Sequence, residues 1–567
     1  MSLRRTTPLT LNSSGLSDAL DASNVFAGAM ASLANLIPDP STAKLWQCRP
    51  ASLELVDFAR AGSPFSSGFS SGFAGSTFTT PIGPISCLKI IGNVAFGMVD
   101  IEGNPNDQPF AYDLVNNAFL PVTGAVAANT PATQAATGAW TTPTMDLVGT
   151  NLLVTHPGFN GAGNGYFGWF DIANLAAITW NSGNLTGAVT FTTPPAAVKN
   201  FNGRAYWITN PPTGQPALIY SDVLVPRNVT NANQILTFDD NVPLTALAAL
   251  ALQNQLGGII QALIVFKGIT NMYQITGDAA TSNLARNALN VATGTLAPNS
   301  ITQTPKGILF VAPDGLRLID FTATVSDPIG VDGMGKTLPF LYSTVPTRMY
   351  GAANGSIYRI TVQDGSLPAA PFVEYWFDWT RGGPGQKGVW SGPHTFPARC
   401  IAAYNNTFIV APQATNGKLF QSDYVQTSTS TFTENGTPLS FTWTTSMLPD
   451  TDQMCENAMV ETTLYMALVA GGTYAITALN QDGAVLNSAL IVGGGTPTIW
   501  GQFNWGQAVW GGAANALYPR QPLWTAQVIF RRMQISATGL SGAAVRIGKL
   551  HMRYEQLGYL QQSASAA

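Results

Sequence analysis

Apolar and polar positions along this chain alternate in short runs, interrupted every few residues by Gly, Asn, Asp or Pro. That is the signature of β-strands joined by tight turns rather than of amphipathic helices. Two segments show it in full: "FNGRAYWITNPPTGQPALIYSD", residues 201–222, and "YNNTFIVAPQATNGKLFQSD", residues 404–423. Each opens on an aromatic residue and an Asn-led turn, which supplies the positive φ that a two-residue hairpin needs. Each then passes through an apolar strand and a Pro/Gly loop, and closes on a second strand ending Ser-Asp. Asp222 and Asp423 therefore correspond. Weaker copies place leading turns near residues 92, 149, 267, 306 and 354, with strand-end aspartates at Asp113, Asp171, Asp278, Asp320 and Asp378.

A period of roughly 40 to 50 residues made of short strands and turns points to a propeller, in which each four-stranded blade buries its faces against its neighbours. The expected fold is all-β: a β-propeller of six or seven blades over residues 81–430, with an additional C-terminal β-domain over 431–560. A large β-sandwich competes with it, because the repeat spacing is uneven. Residues 1–80, rich in Ser, Gly, Ala and Pro, read as an N-terminal arm and linker that includes "SPFSSGFSSGFAGSTF" at 63–78. Residues 561–567 read as a flexible tail. In the C-terminal domain, "GKLHMRYEQL" sets Lys549, His551, Arg553 and Glu555 opposite Leu550, Met552 and Tyr554 on one strand. "PLSFTWTTSML" and "VIFRRMQIS" are further strands. The apolar run from Leu244 to Leu256 departs from this rhythm. It is too short to cross a bilayer and predicts a short core helix after Pro243.

Composition sharpens the picture. Asp, Glu, Lys and Arg make up only 10 % of the 567 residues, against about 25 % in an average soluble protein. Disorder is not the explanation, since 28 Phe, 16 Tyr and 13 Trp are present. A surface so poor in charge suits a subunit packed against others; a secreted, uncharged β-protein is the alternative. The net charge of −4 leaves no basic field to hold nucleic acid by counterion release. Cys48, Cys87, Cys400 and Cys455 lack any CxxC spacing and read as buried thiols. The N-terminus carries no apolar signal segment.

Candidate chemistry is sparse. His156 and His394 each stand beside a proline, and His551 faces outward on a strand. Their spacing excludes a local zinc pair. No nucleophile-elbow, HExxH, phosphate-loop or dinucleotide motif occurs. "NQDGA" at 480 lacks the acidic set of a calcium loop and reads as a hairpin turn. The strand-end aspartates read as turn formers, although a carboxylate pair for glycoside hydrolysis could still be drawn from the 30 acidic residues. No catalytic, cofactor-binding or metal-ligating residue is assigned. "WGQFNWGQAVWGG", 500–512, sets Trp500, Trp505 and Trp510 each before a Gly. Neither strand nor helix aligns three rings at that interval, so they read as packed anchors rather than a stacking platform for sugars or bases.

Two runs resemble a known family. "LSDALDASNVFAGAMASLANLIPDPSTAKLWQCRPA" is similar to the opening of virion proteins of tailed phages. "GGIIQALIVFKGITNMYQITGD" with "APNSITQTPKGILFVAPDGLRLIDF", inside 257–321, resembles blades of the tail nozzle, or tail tubular, proteins of short-tailed bacteriophages. The closing "FRRMQISATG" and "IGKLHMRYEQLGY" are similar to the ends of such chains. The resemblance implies a virion structural protein, without enzymatic activity or cofactor, forming the distal tail tube for DNA retention and ejection. It further implies a homo-oligomer, a hexameric ring, bound to a tail adaptor and to tail fibres. DNA would pass without specific binding, there would be no membrane insertion, and the site of action would be the virion tail after synthesis in host cytoplasm. A carbohydrate-binding or carbohydrate-degrading β-propeller protein is the alternative.

Overall fold

The computed structural model describes residues 4–559 except 11–29, 40–45, 60–81, 102–105, 134–142, 254–258, 278–282, 330–345, 364–371, 382–387, 414–416, 427–429, 449–454, 468–472, 493–517, 521–523, 542–544 and positions 127, 162, 239, 290 and 525. Its described elements are strands and two short 3-10 turns, Pro298–Ser300 and Pro346–Arg348. The chain is all-β, with many small sheets in an arrangement that resembles propeller and solenoid architectures.

Seven sheets, antiparallel except where Val122–Thr123 runs parallel to Ile178–Gly183 in the second, follow one another along the sequence. Their first strands are Ile82–Ile91, Thr144–Val148, Ala197–Phe201, Leu244–Gln253, Thr302–Thr304, Tyr350–Asn354 and Ala398–Tyr404. The turns expected near 92, 149, 202, 306, 354 and 405 join the first strand of a sheet to its second, and the turn near 267 joins a second strand to a third. Asn202 and Asn405 take positive φ, 50° and 49°, as their hairpins require.

Strand-end aspartates cap the next turn. Asp113, Asp171, Asp320 and Asp378 each accept, through Oδ1, the backbone N–H two residues on. Asp222 accepts from the side chains of Asn228, Thr230 and Gln234. Asp423 accepts from Gln421, and Asp278 lies outside the described residues. The "NQDGA" stretch is a turn in which Asn480 Oδ1 accepts from the backbone of Asp482 and Ala484.

Both faces of these sheets are buried. Phe96 and Met98 of the first sheet pack with Leu152 and Phe170 of the second. Phe167 and Trp169 of the second meet Trp207 of the third; Tyr206 and Ile208 of the third meet Leu263 of the fourth. Ile264 and Phe266 meet Phe310 of the fifth, and Leu309 and Val311 meet Tyr358 and Ile360 of the sixth. Trp376 of the sixth packs with Phe408 and Val410 of the seventh. Ile409 and Leu419 of the seventh then share a core with Ile85, Leu88 and Phe110 of the first.

The segment Leu244–Gln253 is a strand, not the expected helix. Ala246, Ala248, Leu250 and Leu252 enter the core shared with the fifth sheet, while Leu244 and Leu247 enter the one shared with the third. A strand buried on both faces shows no polar alternation, so its apolar run cannot be told from a core helix by periodicity.

The N-terminal arm is woven into the sheets. Leu53–Asp57 forms the outer strand of the seventh sheet, pairing with Lys418–Asp423. Leu33, in the strand Met30–Ala34, pairs with Gly392 of the sixth sheet on one side and Trp443 on the other. It thereby joins that sheet to the C-terminal strands Thr437–Thr445, Met533–Ser541, Thr473–Asn480 and Val485–Val492. A second C-terminal sheet is built on Cys455–Ala467 and Arg546–Tyr559. In the latter, Leu550, Met552 and Tyr554 are buried while Lys549, His551, Arg553 and Glu555 are not, matching the expected alternation. Arg49 and Glu434, 2 % and 7 % exposed, form a buried ion pair at 2.6 Å where the arm meets the C-terminal strands.

Candidate functional site

The first strands of all seven sheets line one cavity of about 350 Å³. Backbone ladders do not run between neighbouring first strands, so their donors need side-chain acceptors. Thr144 Oγ1 accepts the N–H of Val198 at 3.2 Å, and Asp146 Oδ2 accepts that of Asn200 at 2.8 Å. These bonds tie the second sheet to the third.

A charged arc occupies one side. Lys89, Asp146 and Lys199 stand at the same register on three consecutive first strands, each three residues before the turn at Gly92, Gly149 or Asn202. Lys199 Nζ lies 3.0 Å from Asp146 Oδ2 and Lys89 Nζ 3.4 Å from Oδ1. Burial alone would raise the Asp146 carboxyl; Lys199, Lys89 and the Asn200 N–H outweigh it and hold the group below its ordinary range. Both lysines line the cavity and are about a third exposed, at 36 % and 30 %. Among the described residues, neither ammonium group has a second partner.

The same register on the far side carries Thr302, Ala352 and Ala402, with Ala248, Asn299, Gln303 and Tyr350 nearby. Thr302 Oγ1 accepts from Ala353 N–H, and the Tyr350 hydroxyl donates to the Leu88 carbonyl. Burial, then the neighbouring thiols of Cys400 and Cys87, push the Tyr350 phenol well above its ordinary value. The cavity is therefore cationic on one side and small, apolar and amide-bearing on the other. Sequence reading passed over Lys89, Asp146 and Lys199. The available signal was a charge at fixed offset before a repeated turn, inside apolar strands of a charge-poor chain.

The histidines sit elsewhere, and in His156 and His394 both ring nitrogens are engaged. His156 Nδ1 accepts the Gly158 N–H at 2.9 Å, so Nε2 carries the proton and faces Asp107 Oδ2 at 3.1 Å. His394 Nδ1 accepts the Asn35 N–H at 3.1 Å, so Nε2–H points at Ser391 Oγ, 3.2 Å away. A ring in that tautomer cannot take the hydroxyl proton, and this Ser–His pair is not an activated nucleophile. Burial, then Arg49 and Arg359, hold the imidazole well below its ordinary value. His551 packs edge-on to Tyr465. Cys48, Cys87 and Cys400 are buried. Trp500, Trp505 and Trp510 lie outside the described residues.

No family model matches this chain, and no curated protein matches it. Among solved structures it aligns with the polysaccharide lyase Uly1, at 9 % identity over 67 % of this chain and 98 % of that one, with a TM-score of 0.29. It also aligns with the SapL1 lectin in complex with α-methyl fucoside, at 13 % identity over 55 % and 97 %, TM-score 0.29. A GH43 glycoside hydrolase engineered for endo-xylanase and exo-arabinofuranosidase activity aligns at 10 % identity over 83 % and 98 %, TM-score 0.25. These are carbohydrate-active or carbohydrate-binding proteins, not virion components. The comparisons bring nothing specific to phage tail proteins, and the expectations of a tail nozzle for DNA retention and ejection, and of a chain without enzymatic activity, are corrected to that extent and not carried forward. The alternative, a carbohydrate-binding or carbohydrate-degrading protein, is carried forward.

Proposed function

We propose that this chain is a carbohydrate-binding protein built on a seven-bladed β-propeller, with an additional β-domain made by its C-terminal strands and N-terminal arm. Supporting the propeller are the succession of shared cores from each sheet to the next, the core common to the seventh and first sheets, and the single cavity touched by every first strand. Each sheet is then one blade, the cavity is axial, and Leu53–Asp57 closes the ring by completing the last blade.

One observation carries the binding reading: the mixed lining of the axial cavity. A saccharide presents hydroxyls that both donate and accept, beside patches of C–H surface. Gln303 offers an amide that does both, Lys89 and Lys199 offer charged donors, and Ala248, Ala352 and Ala402 offer apolar contact. A volume of about 350 Å³ falls at the lower end of small-ligand pockets, roughly 300 to 1,000 Å³, and admits a small saccharide. Hydrolysis in this cavity would call for a pair of carboxylates. The described lining supplies none, and Asp146 beside it is held by two lysines, so binding is the chemistry this lining supports.

Titration calorimetry against a panel of monosaccharides and short oligosaccharides tests the reading. At least one sugar should bind the wild-type protein, and Gln303→Ala should weaken it with no change in melting temperature. Absence of binding across the panel by a folded protein, or binding untouched by Gln303→Ala and Lys199→Ala together, would overturn it.

A further inference from the structure

The charged arc points to a narrower ligand class than sugars in general. Two lysines share one carboxylate, leaving one net positive charge at the wall of the cavity. Asp146 spends one oxygen on each lysine, at 3.0 and 3.4 Å, and holds both side chains on adjoining strands. Each ammonium group has three donors and uses one on Asp146, so both retain donors for a guest. The opposing wall, of alanines and uncharged polar groups, carries no positive charge to pair with an anion. An occupant with charge at one end and an uncharged body matches this asymmetry in one orientation only.

We infer that the axial cavity selects acidic saccharides, seating a sugar carboxylate or sulfate between Lys89 and Lys199 with the ring toward Ala352 and Ala402. This rests on the reading of the cavity as a saccharide site. The anion replaces water at the two ammonium groups and completes an alternating array of Lys89, Asp146, Lys199 and ligand. Charge-assisted hydrogen bonds of this kind are stronger and shorter than neutral ones. Because the lysines are partly exposed, added salt screens the attraction. Removing the negative partner should strengthen the field: Asp146→Asn keeps an acceptor for the Asn200 N–H while raising the net charge of the arc.

Calorimetric binding of four monosaccharide probes tests the inference: methyl glucuronoside, its methyl ester, methyl glucoside and methyl glucoside 6-sulfate. At least one acid should bind about tenfold or more tightly than methyl glucoside, and the tighter of the two acids identifies the anion. That preference should shrink with added sodium chloride, fall within about threefold in Lys199→Ala and Lys89→Ala, and widen in Asp146→Asn. Equal binding of glucuronoside, ester, sulfate and glucoside would overturn the inference while leaving the saccharide site standing. No binding by any probe would overturn the inference. An acid preference that persists unchanged in salt and in both lysine variants would also overturn it, by placing the anion elsewhere.

Discussion

Lys199 Nζ lies 3.0 Å from Asp146 Oδ2, an ion pair that crosses from the first strand of the third sheet to that of the second. Asp146 also accepts the Asn200 N–H and meets Lys89, so one carboxylate links three consecutive sheets. Asp146→Ala strips all three contacts. The lysines are a third exposed, so the Coulomb part is discounted, and a loss of about 1–3 kcal/mol is expected. Urea denaturation measures it; a change within roughly 0.5 kcal/mol would show that the carboxylate carries no structural weight.

His394 makes stability depend on pH above the carboxylate range. Its imidazole, faced by Asn35, Ser391, the Trp376 ring, Arg49 and Arg359, is neutral in the folded protein. Unfolding returns it toward its ordinary value of 6.5. Below that pH the unfolded chain binds a proton the folded protein refuses, so stability falls as pH drops through 6.5 toward 5. The slope from this one group reaches about 1.4 kcal/mol per pH unit. Thermal unfolding between pH 7.5 and 5 should show the decline in the wild-type protein and a shallower one in His394→Gln.

Arg49 and Glu434 are a buried pair whose partners are interdependent. Arg49 Nη1 and Nη2 both reach Glu434, and Nε reaches Asn35. Glu434→Ala leaves a buried guanidinium without its counter-charge and should cost about 3–5 kcal/mol. Combining it with Arg49→Met should recover much of that loss, because the apolar pair needs no ion desolvation. A double-mutant cycle reads the coupling directly; additive losses would contradict it.

Phe58 tests whether the arm belongs to the core. It is fully buried, edge-to-face with Phe110 and Phe119 at 4.9 Å each. Phe58→Ala should cost about 3–5 kcal/mol, measured by denaturant unfolding. A loss typical of a surface site would mean that the arm merely rests on the sheets.

What could be read in the sequence was local. Gly92, Gly149, Asn202 and Asn405 announced their hairpins because positive φ restricts the residues that serve there. Asp113, Asp171, Asp320 and Asp378 could be read as turn caps because their partners lie two residues away. Leu244–Gln253 reads as a helix in the sequence because burial on both faces erases the alternation of a strand. The pairing of Phe420 with Glu54 left no trace in either segment, since nothing in five polar-and-apolar residues specifies a partner so remote. The charged arc falls between these cases. Lys89, Asp146 and Lys199 are unremarkable one at a time and acquire meaning only when three strands are laid in register.

The outer strand of the seventh sheet also bears on how this chain is made. Glu54 and its partner Lys418 are 364 residues apart. At ribosomal rates of roughly 5 to 20 residues per second, Leu53–Asp57 emerges about 20 to 70 seconds before the strand it pairs with. Until Lys418–Asp423 is made its pairing partner does not exist, and an unpaired strand edge is the condition that invites pairing between chains. Glu54 and Asp57, which meet Lys418 in the finished protein, place two negative charges on that waiting edge and set neighbouring copies against each other until the last sheet arrives.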